Sequence, residues 1–155
     1  MTQTRPRLAV RDLRRSLAFY REVLGLEIVR DGGALAELTG GLILLSLDSW
    51  ASLLETSPAE IPLGGCCGGV LLEAEDFDAF LTALARHPEV ELVHPVRESR
   101  RGQRVARLYD PDRHILEVEE PLAKVARRFF DSGLNTEGVA RRMDVPVETV
   151  QRWLK

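Results

Sequence analysis

The sequence predicts an α+β fold made of two βαβββ modules followed by a helical unit. Eight short runs of alternating or apolar residues have the length and pattern of β-strands. One amphipathic helix follows the first strand of each set of four. The two sets also align with each other at a shift of 64 residues, with LAVRDL falling on LEAEDF and LGLEIV on PEVELV. Such a repeat indicates two similar units that bury their apolar faces together.

The eight predicted strands divide equally between the modules. In the first module they are Arg5–Val10, Leu26–Asp31, Ala34–Thr39 and Leu42–Asp48. In the second module they are Val70–Glu75, Val90–Val96, Gln103–Tyr109 and His114–Glu119. The last strands of the two modules, GLILLSL and RHILEVE, align at a longer shift of 72 residues, which places Leu45 on Glu117.

Each predicted helix has an apolar face and a signal at its start. In DLRRSLAFYREVLG, Asp12 is suited to cap the first turn and Gly25 to end the helix, and the apolar face is Leu13, Leu17, Tyr20 and Leu24. In DFDAFLTALARH, Asp76 is the predicted cap, and the apolar face is Phe77, Phe80, Leu81 and Leu84.

The predicted modules span residues of about 1–50 and 66–120, within a first domain of residues 1–120. Placed side by side, they are expected to form a curved, incomplete barrel-like sheet around a cleft, with the helices outside. After Glu120 the composition changes, and residues 121–155, called the tail below, are predicted to be a separate helical extension. The tail has seven basic and four acidic residues, so the first 120 residues carry about −6 of the net charge of −3.

The composition is that of an ordinary soluble protein, and it disfavours nucleic acid and membranes as partners. A net charge of −3 gives no support to nucleic acid as the main partner. The sequence has no apolar run of the ~18 residues that a membrane span requires, and the start, MTQTRPRLAV, lacks the apolar region of a signal peptide. Cys66 and Cys67 are adjacent, which disfavours a disulfide between them and is a poor zinc signal. We therefore expect reduced thiols and a cytoplasmic protein.

The tail has the pattern of three helices, and its end resembles a helix-turn-helix. In NTEGVARRMDVPVETVQRWLK, Ala140 occupies the small-residue position and Asp144 the turn, while Val150 and Trp153 form the buried face of the last helix. In the preceding helix the predicted apolar anchors are Val125, Phe129 and Phe130. The last helix offers only Gln151, Arg152 and Lys155 as polar contacts, which is sparse for DNA. We expect the tail to pack on the first domain or on a partner subunit, with DNA binding as an alternative.

Two stretches, LAVRDLRRSLAFYREVLGLEIV and YDPDRHILEVEE, resemble the hallmark segments of the vicinal oxygen chelate superfamily. This superfamily includes glyoxalases, bleomycin-resistance proteins and extradiol dioxygenases, and the resemblance covers residues 5 to 119. It implies the paired-module fold and, in the enzymes of the group, a divalent metal held by residues on the first and last strand of each module. It does not by itself imply one activity, because one fold carries many functions.

The resemblance implies four metal-ligand positions in this chain, which are Arg5, Leu45, Gly69 and Glu117. Of these, only Glu117 carries a side chain that binds a metal, since arginine stays protonated and leucine and glycine offer no donor. A catalytic metal needs about three protein ligands. We therefore expect no cofactor and no metal site, and this departure argues against glyoxalase or dioxygenase chemistry.

Strand alternation predicts which residues face the cleft. On the last strand, Ile115, Glu117 and Glu119 share one face, and His114 lies on the other. The predicted ligand-binding residues are Arg5, Arg7, Leu45, Gly69, Glu73, Gln103 and Glu117, with Gln103 at the mouth of the cleft. A carboxylate among apolar neighbours needs a partner, and the sequence-based hypothesis pairs Glu117 with Arg5.

Three functions remain open from the sequence. The first is a metal-independent protein that binds a small molecule in the cleft, as the resemblance to drug-sequestering members suggests. The second is a metal-dependent lyase, isomerase or dioxygenase whose missing ligands come from elsewhere. The third is a ligand-sensing regulator that binds DNA through the tail. The superfamily resemblance also implies a homodimer, because the modules leave apolar sheet surface that a second copy covers.

Overall fold

The computed structural model describes residues 4–155 and contains eight strands in two sheets. Residues 1–3, the start of the segment considered above for a signal peptide, lie outside the described part. Sheet A has the order β1-β4-β3-β2, with the strands β1 Arg7–Val10, β2 Ile28–Asp31, β3 Leu35–Leu38 and β4 Ile43–Ser46. Sheet B has the order β5-β8-β7-β6, with the strands β5 Gly69–Glu73, β6 Leu92–Glu98, β7 Arg104–Tyr109 and β8 Ile115–Glu119. All eight predicted strands are present, four in each sheet, with ends that differ from the predicted ones by at most two residues.

Six α-helices complete the described fold, and five of them were predicted. They are α1 Leu13–Glu22, α2 Leu47–Leu53, α3 Phe77–Leu84, α4 Leu122–Asp131, α5 Thr136–Met143 and α6 Val147–Leu154. The capping predictions are confirmed. The Asp12 carboxylate accepts a hydrogen bond from the Arg15 amide, and the Asp76 carboxylate accepts one from the Ala79 amide. No helix of residues 4–155 is long and apolar enough to cross a membrane.

Helix α2 is a correction to the prediction, which continued the strand to Asp48. The Ser46 hydroxyl accepts a hydrogen bond from the Ser49 amide, at 3.2 Å, and this cap starts a helix directly at the end of β4. The apolar run LILLSL fits a strand equally well, so its alternation hid the helix start.

The two sheets share one hydrophobic core. It combines Leu44 of sheet A and Leu116 of sheet B with α1 and α3, which contribute Tyr20 and Phe80. The α+β class with open sheets is confirmed, but two details differ from the expectation. Among the described strands none of sheet A pairs with one of sheet B, and the helices pack where the sheets meet rather than outside one continuous sheet. Each sheet therefore turns its other face, called the outer face below, away from the core.

The turn Asp110-Pro111-Asp112 joins the two modules. The buried Asp110 carboxylate accepts hydrogen bonds from the Tyr20 hydroxyl at 3.0 Å and from His114 Nδ1 at 2.9 Å. Asp112 accepts from both the amide and the guanidinium of Arg11 at 3.1 Å. Burial, reinforced by the Asp110 carboxylate, raises the pKa of Tyr20, so the phenol stays a hydrogen-bond donor. The polar turn that the sequence shows is thus a structural joint.

The tail has a small core of its own, formed around Val125, Val139, Met143 and Val150. Asp144 ends α5 in the left-handed conformation with φ of 55°, as the helix-turn-helix pattern predicts. Trp153 packs against this core, as predicted. Phe130 does not serve as an anchor, since it is 40% exposed.

Charges and one aromatic ring hold the tail against the β6–β7 hairpin. The buried Glu120 carboxylate meets Arg104 at 3.2 Å and Arg128 at 3.1 Å, and Arg142 reaches Glu98 at 2.9 Å. Burial raises the pKa of Glu120, but the hydrogen bonds from the two arginines outweigh it and lower the pKa overall. The Phe129 ring lies on Gly102, where a Cβ atom would stand only 2.2 Å from the ring.

Candidate functional site

The outer face of sheet B is an exposed surface. Along β8, Leu116 and Val118 enter the core, whereas Ile115, Glu117 and Glu119 remain partly exposed. Leu71 on the neighbouring strand is 58% exposed. The alternation predicted from the sequence is therefore confirmed for this strand, and Glu117 lies on the outer face.

Glu117 begins a polar row that crosses three neighbouring strands, β8, β7 and β6, with Arg107 in the middle. Register pairs Arg107 with Glu117 and His94 with Arg107. Arg107 Nε donates to Glu117 Oε2, and Arg107 Nη1 lies 3.2 Å from His94 Nε2. His94 Nδ1 lies 2.8 Å from the Pro95 carbonyl oxygen, which only accepts. The imidazole in this arrangement thus carries its proton on Nδ1 and accepts at Nε2 from the guanidinium.

Two further carboxylates lie beside this row. Glu73 at the end of β5 is paired in register with Glu119 on β8. Burial raises the pKa of Glu119, and the negative charges of Glu117 and Glu73 raise it further. Glu73, Glu117 and Glu119 against Arg107 leave this face with more negative than positive charge.

A cavity of about 330 Å³ opens beside Glu117 and Arg107. Its apolar wall is formed by Leu71 and Ile115, and its rim by the glycine-rich loop that carries Cys66. Gly69 packs so closely that a Cβ atom would stand 2.8 Å from the Ile115 carbonyl oxygen. Of the predicted ligand-binding residues, the structure brings Gly69 and Glu117 together here.

The outer face of sheet A is built differently. Ala9, Ile43 and Leu45 point away from the shared core and yet are at most 8% exposed. Helix α2 contacts both β1 and β4, and its Ala51 is also buried outside the shared core. We attribute the burial of this face to the segment that follows β4. Leu45 is therefore part of a packed interior rather than a wall of an open cleft.

Strand register corrects the alignment of the two modules. Leu71, which is equivalent to Arg7, pairs with Glu117, whereas Arg7 pairs with Ile43. The first-module equivalent of Glu117 is thus Ile43, and Leu45 corresponds to Glu119. Ile43 is apolar, as Leu45 is. We therefore still expect the last strand of the first module to offer no metal ligand.

Arg5 and Glu117 are not partners in the structure. Arg5 contacts Glu37 at 3.2 Å on sheet A, while Glu117 receives Arg107 from the adjacent strand. The physical reason is that the two modules form separate sheets, so a residue next to β1 is not beside β8. Arg7 lies exposed on β1, and Glu73 lies exposed on β5.

Gln103, predicted at the mouth of the cleft, is buried, and its side-chain amide is already hydrogen-bonded. It is 8% exposed, and its Nε2 donates to the Glu120 carbonyl oxygen at 2.7 Å. Its side chain also hydrogen-bonds to Glu119, and this bond opposes the rise of the Glu119 pKa. Gln103 therefore supports the carboxylate row from the side instead of meeting a ligand directly.

The donor set does not fit the metal that the superfamily enzymes hold. Glu117 is engaged by a guanidinium, Ile43 and Leu45 are apolar, and no side chain fits at Gly69 without displacing β8. Within residues 4–155 no three histidine, cysteine or carboxylate groups are arranged to hold a metal ion.

The chain matches the family model described as a glyoxalase-like domain over residues 4–123. It belongs to this family and thereby to the vicinal oxygen chelate superfamily. No curated protein matches the sequence. The tail lies almost wholly beyond the matched residues.

Solved structures support the same assignment. A protein of unknown function from Agrobacterium tumefaciens str. C58 is 36% identical, with a TM-score of 0.70 over 77% of this chain and 94% of that chain. A lactoylglutathione lyase from Agrobacterium tumefaciens is 25% identical, with a TM-score of 0.56 over 79% of this chain and 96% of that chain. A glyoxalase/bleomycin resistance protein/dioxygenase family enzyme from Burkholderia phytofirmans PsJN, 17% identical over 74% of this chain and 94% of that chain, shares the fold with a TM-score of 0.60.

Arg107 and His94 are the site residues that the sequence reasoning missed. The signal for Arg107 was present, because YDPDRHILEVEE and the preceding RVARLY read as adjacent antiparallel strands. Counting back from the DPD turn brings Arg107 opposite Glu117, since the register pairs Tyr109 with Ile115. Cross-strand partners of this kind are the usual source of charge compensation in a sheet.

Proposed function

We propose that the protein binds a small organic molecule on the outer face of sheet B without a catalytic metal. The observation that supports this proposal is the Arg107–Glu117 ion pair. Glu117 stands at a position whose carboxylate binds the metal in the superfamily enzymes, and here an arginine binds it instead. The apolar Leu71 and Ile115 beside it suit the body of a ligand. Glu73 and Glu119 favour hydrogen-bond donors on that ligand.

A homodimer completes this site in the proposal. Among the described strands, β1 pairs only with β4 and β5 only with β8, so β1 and β5 are each an edge strand of their sheet. The edge at β1 carries the exposed Arg7, and the edge at β5 carries the exposed Glu73. We propose a two-fold symmetric dimer in which sheet A of one copy lies beside sheet B of the other. The second copy would then cover the exposed Leu71.

A charge exchange tests the dimer. Arg7→Glu and Glu73→Arg should each weaken association, because each places like charges at the two edges. The double variant should restore it, since the attraction is then rebuilt with the signs reversed. Light scattering at tens of micromolar gives the molar mass of each. A wild-type monomer, or a double variant as weak as the singles, would contradict the proposed arrangement.

Ligand binding is tested with a matched pair of variants. A thermal-shift screen of small organic compounds identifies binders, which are then titrated by calorimetry. Glu117→Gln should weaken binding at least about tenfold, as expected when a charged hydrogen-bond partner is lost. Glu148→Gln, an exposed change in the tail, should leave the affinity unchanged. Binders that are indifferent to Glu117 would contradict the site.

A metal-dependent enzyme is the second candidate, because one similar structure is a lactoylglutathione lyase. It requires ligands other than the four superfamily positions. Elemental analysis of protein dialysed without added metal separates the two. The proposal expects well under one equivalent of zinc, nickel, iron or manganese and no change of Tm with EDTA. Stoichiometric metal, lost together with stability on chelation, would favour the enzyme.

A DNA-binding regulator is the third candidate, and the charges of the tail argue against it. Lys124, Arg128 and Arg142 bind carboxylates of the first domain, and Arg127 donates to the Leu154 carbonyl oxygen. The basic residues left are Arg141, Arg152 and Lys155, against the acidic residues Asp131, Glu137, Asp144 and Glu148. Phosphate binding needs a basic surface. Salt-dependent affinity for duplex DNA would reverse this assessment.

A further inference from the structure

A groove lies at the seam between the modules, on the opposite side of sheet B from the proposed site. It runs between the end of α1 and the start of α3 and has a volume of about 350 Å³. Leu72 and Val118 line it, and both point to the core side of their strands. The outer face of sheet B carries their neighbours Leu71 and Glu117. The groove is therefore a separate cavity, and it belongs to neither module alone.

The interior of this groove is apolar. Its floor is formed by Val23, Phe80 and Val118, which are 4%, 9% and 3% exposed. Leu24, Leu26 and Leu72 form partly exposed walls. These leucines are already packed against the core on one side. An apolar body that fills the groove would remove their remaining surface from water.

Every charged residue that lines the groove is acidic. They are Glu22, Glu75 and Asp76, together with Glu73, which alternates with Leu72 and belongs to the outer face, and no lysine, arginine or histidine is among the lining residues. Asp76 caps α3, and Glu75 contacts Lys124 at 3.1 Å, whereas Glu22, the exposed last residue of α1, makes no ion pair within residues 4–155. Helix α1 ends here with its partially negative carbonyl end and α3 starts here with its partially positive amide end, so the sign of the rim is set by the carboxylates. An anion is repelled from this position, and a cation is attracted.

We propose that this seam groove binds a hydrophobic organic cation, with its apolar body on Phe80 and Leu72 and its ammonium or guanidinium group at the Glu22 rim. The combination of an apolar interior and a rim of one sign is the observation that selects this class of ligand. Either feature alone would admit other occupants. Because the groove joins α1 to α3, an occupant would also hold the two modules together.

Three probes with one body test the charge requirement. The probes are 4-phenylbutylamine, 4-phenylbutanol and 4-phenylbutyrate, which differ only in the head group and are cationic, neutral and anionic at pH 7.5. We expect the amine to bind the full-length protein at least about tenfold more tightly than the alcohol in a low-salt titration, with the butyrate weakest. Methyl NMR shifts should map to Leu24, Leu26 and Leu72. Equal affinity of amine and alcohol, or shifts elsewhere, would overturn the proposal.

A set of variants at one exposed position provides the matched control. Ala79 lines the groove on the first turn of α3 and is exposed, so larger side chains are accommodated there. Ala79→Arg should lower the affinity for the amine at least about tenfold, whereas Ala79→Gln and Ala79→Met, which add long uncharged side chains, should change it less than about threefold. If all three variants lose binding equally, the rim charge does not select the ligand and the proposal fails.

Two further outcomes separate this groove from the site on the outer face. Glu117→Gln should leave amine binding unchanged, so its loss there would assign the amine to the other site and overturn the seam proposal alone. A change of oligomeric state in Ala79→Arg, with no binding of the amine to the parent protein, would show that a second copy covers the groove. If Ala79→Arg fails to fold, the NMR map on the parent protein still decides the matter.

Discussion

The outer faces of the two sheets follow one strand plan and differ in nearly every side chain. At equivalent positions, sheet A carries the buried Ile43 and Leu45, and sheet B carries the partly exposed Glu117 and Glu119. Among residues 4–155, sheet A carries the ion pair of Arg5, just before β1, with Glu37, and sheet B carries the cross-strand pair Arg107–Glu117. The outer face of sheet A is buried, whereas the outer face of sheet B is exposed and carries a row of polar side chains.

The segment between the modules accounts for this difference. Helix α2 starts directly after β4, whereas β8 is followed by a tail that packs against the β6–β7 hairpin instead. A repeat therefore does not imply two equivalent sites, since the residues that follow each module decide whether its outer face is covered. The four predictions below test this asymmetry in order of expected effect.

The largest effect should come from truncating the buried face. Leu45→Ala removes a side chain that is 1% exposed, and the cavity left behind should lower the free energy of unfolding by about 2–5 kcal/mol. Leu71→Ala, at 58% exposure on the other sheet, should stay within about ±0.5 kcal/mol in dilute, monomeric protein. Urea denaturation measures both. Equal losses would mean that the two faces are alike.

Two neighbouring glycines probe the close packing of β5 on β8. Gly69→Ala places a Cβ atom 2.8 Å from the Ile115 carbonyl oxygen, and the resulting strain should cost about 1–3 kcal/mol. Gly68→Ala is the control, because a Cβ atom there meets nothing within 4 Å. If the two variants were equally stable in thermal unfolding, β5 would have room at residue 69 for a side chain that could bind a metal.

The ion pairs of the two faces can be compared by double-mutant cycles. Arg107→Met with Glu117→Gln should show a coupling of about 0.5–1 kcal/mol, modest because both side chains are partly exposed. Arg5→Met with Glu117→Gln should be additive, since their sheets are separate. Denaturant unfolding of the singles and doubles gives both cycles. Coupling in the second pair alone would restore the pairing suggested by the sequence.

The smallest effect concerns the pH dependence of Glu119. Its pKa is raised by burial and by Glu117 and Glu73, so the ionised form destabilises the fold. Glu119→Gln should increase stability by about 0.2–1 kcal/mol above the raised pKa, as expected for relief of a like-charge pair. The gain should shrink as the pH falls through the raised pKa and vanish below the ordinary value of 4.5. A pH-independent gain would mean that packing, not charge, is responsible.

Features that depend on neighbouring residues in the sequence were mostly predicted correctly, and features that depend on distant residues were not. The caps Asp12 and Asp76 act within one turn of their helices, so the local sequence contains all that is needed to predict them. The strand alternation that places Glu117 on an outer face is equally local. The partner of Glu117 is not local, because it depends on which strand lies beside β8 and in what register.

The candidate site shows the same division. Gly69 and Glu117 were predicted and lie together, whereas Gln103 was predicted as a ligand contact and is buried against Glu120. The amide of Gln103 reaches that carbonyl because β7 and the end of β8 are adjacent, a fact of sheet order. His94 joins the row for the same reason.

By itself the sequence determined the eight strands, five of the six helices and the module repeat, because periodicity and capping are properties of neighbouring residues, and its two hallmark segments indicated the family. Only the tertiary structure decided that the two sheets stay separate and that sheet A is covered while sheet B is open. Only it decided that Arg107 rather than Arg5 compensates Glu117. These outcomes depend on contacts between residues far apart in the chain, and a side chain's partners there are set by packing of whole elements rather than by spacing along the sequence.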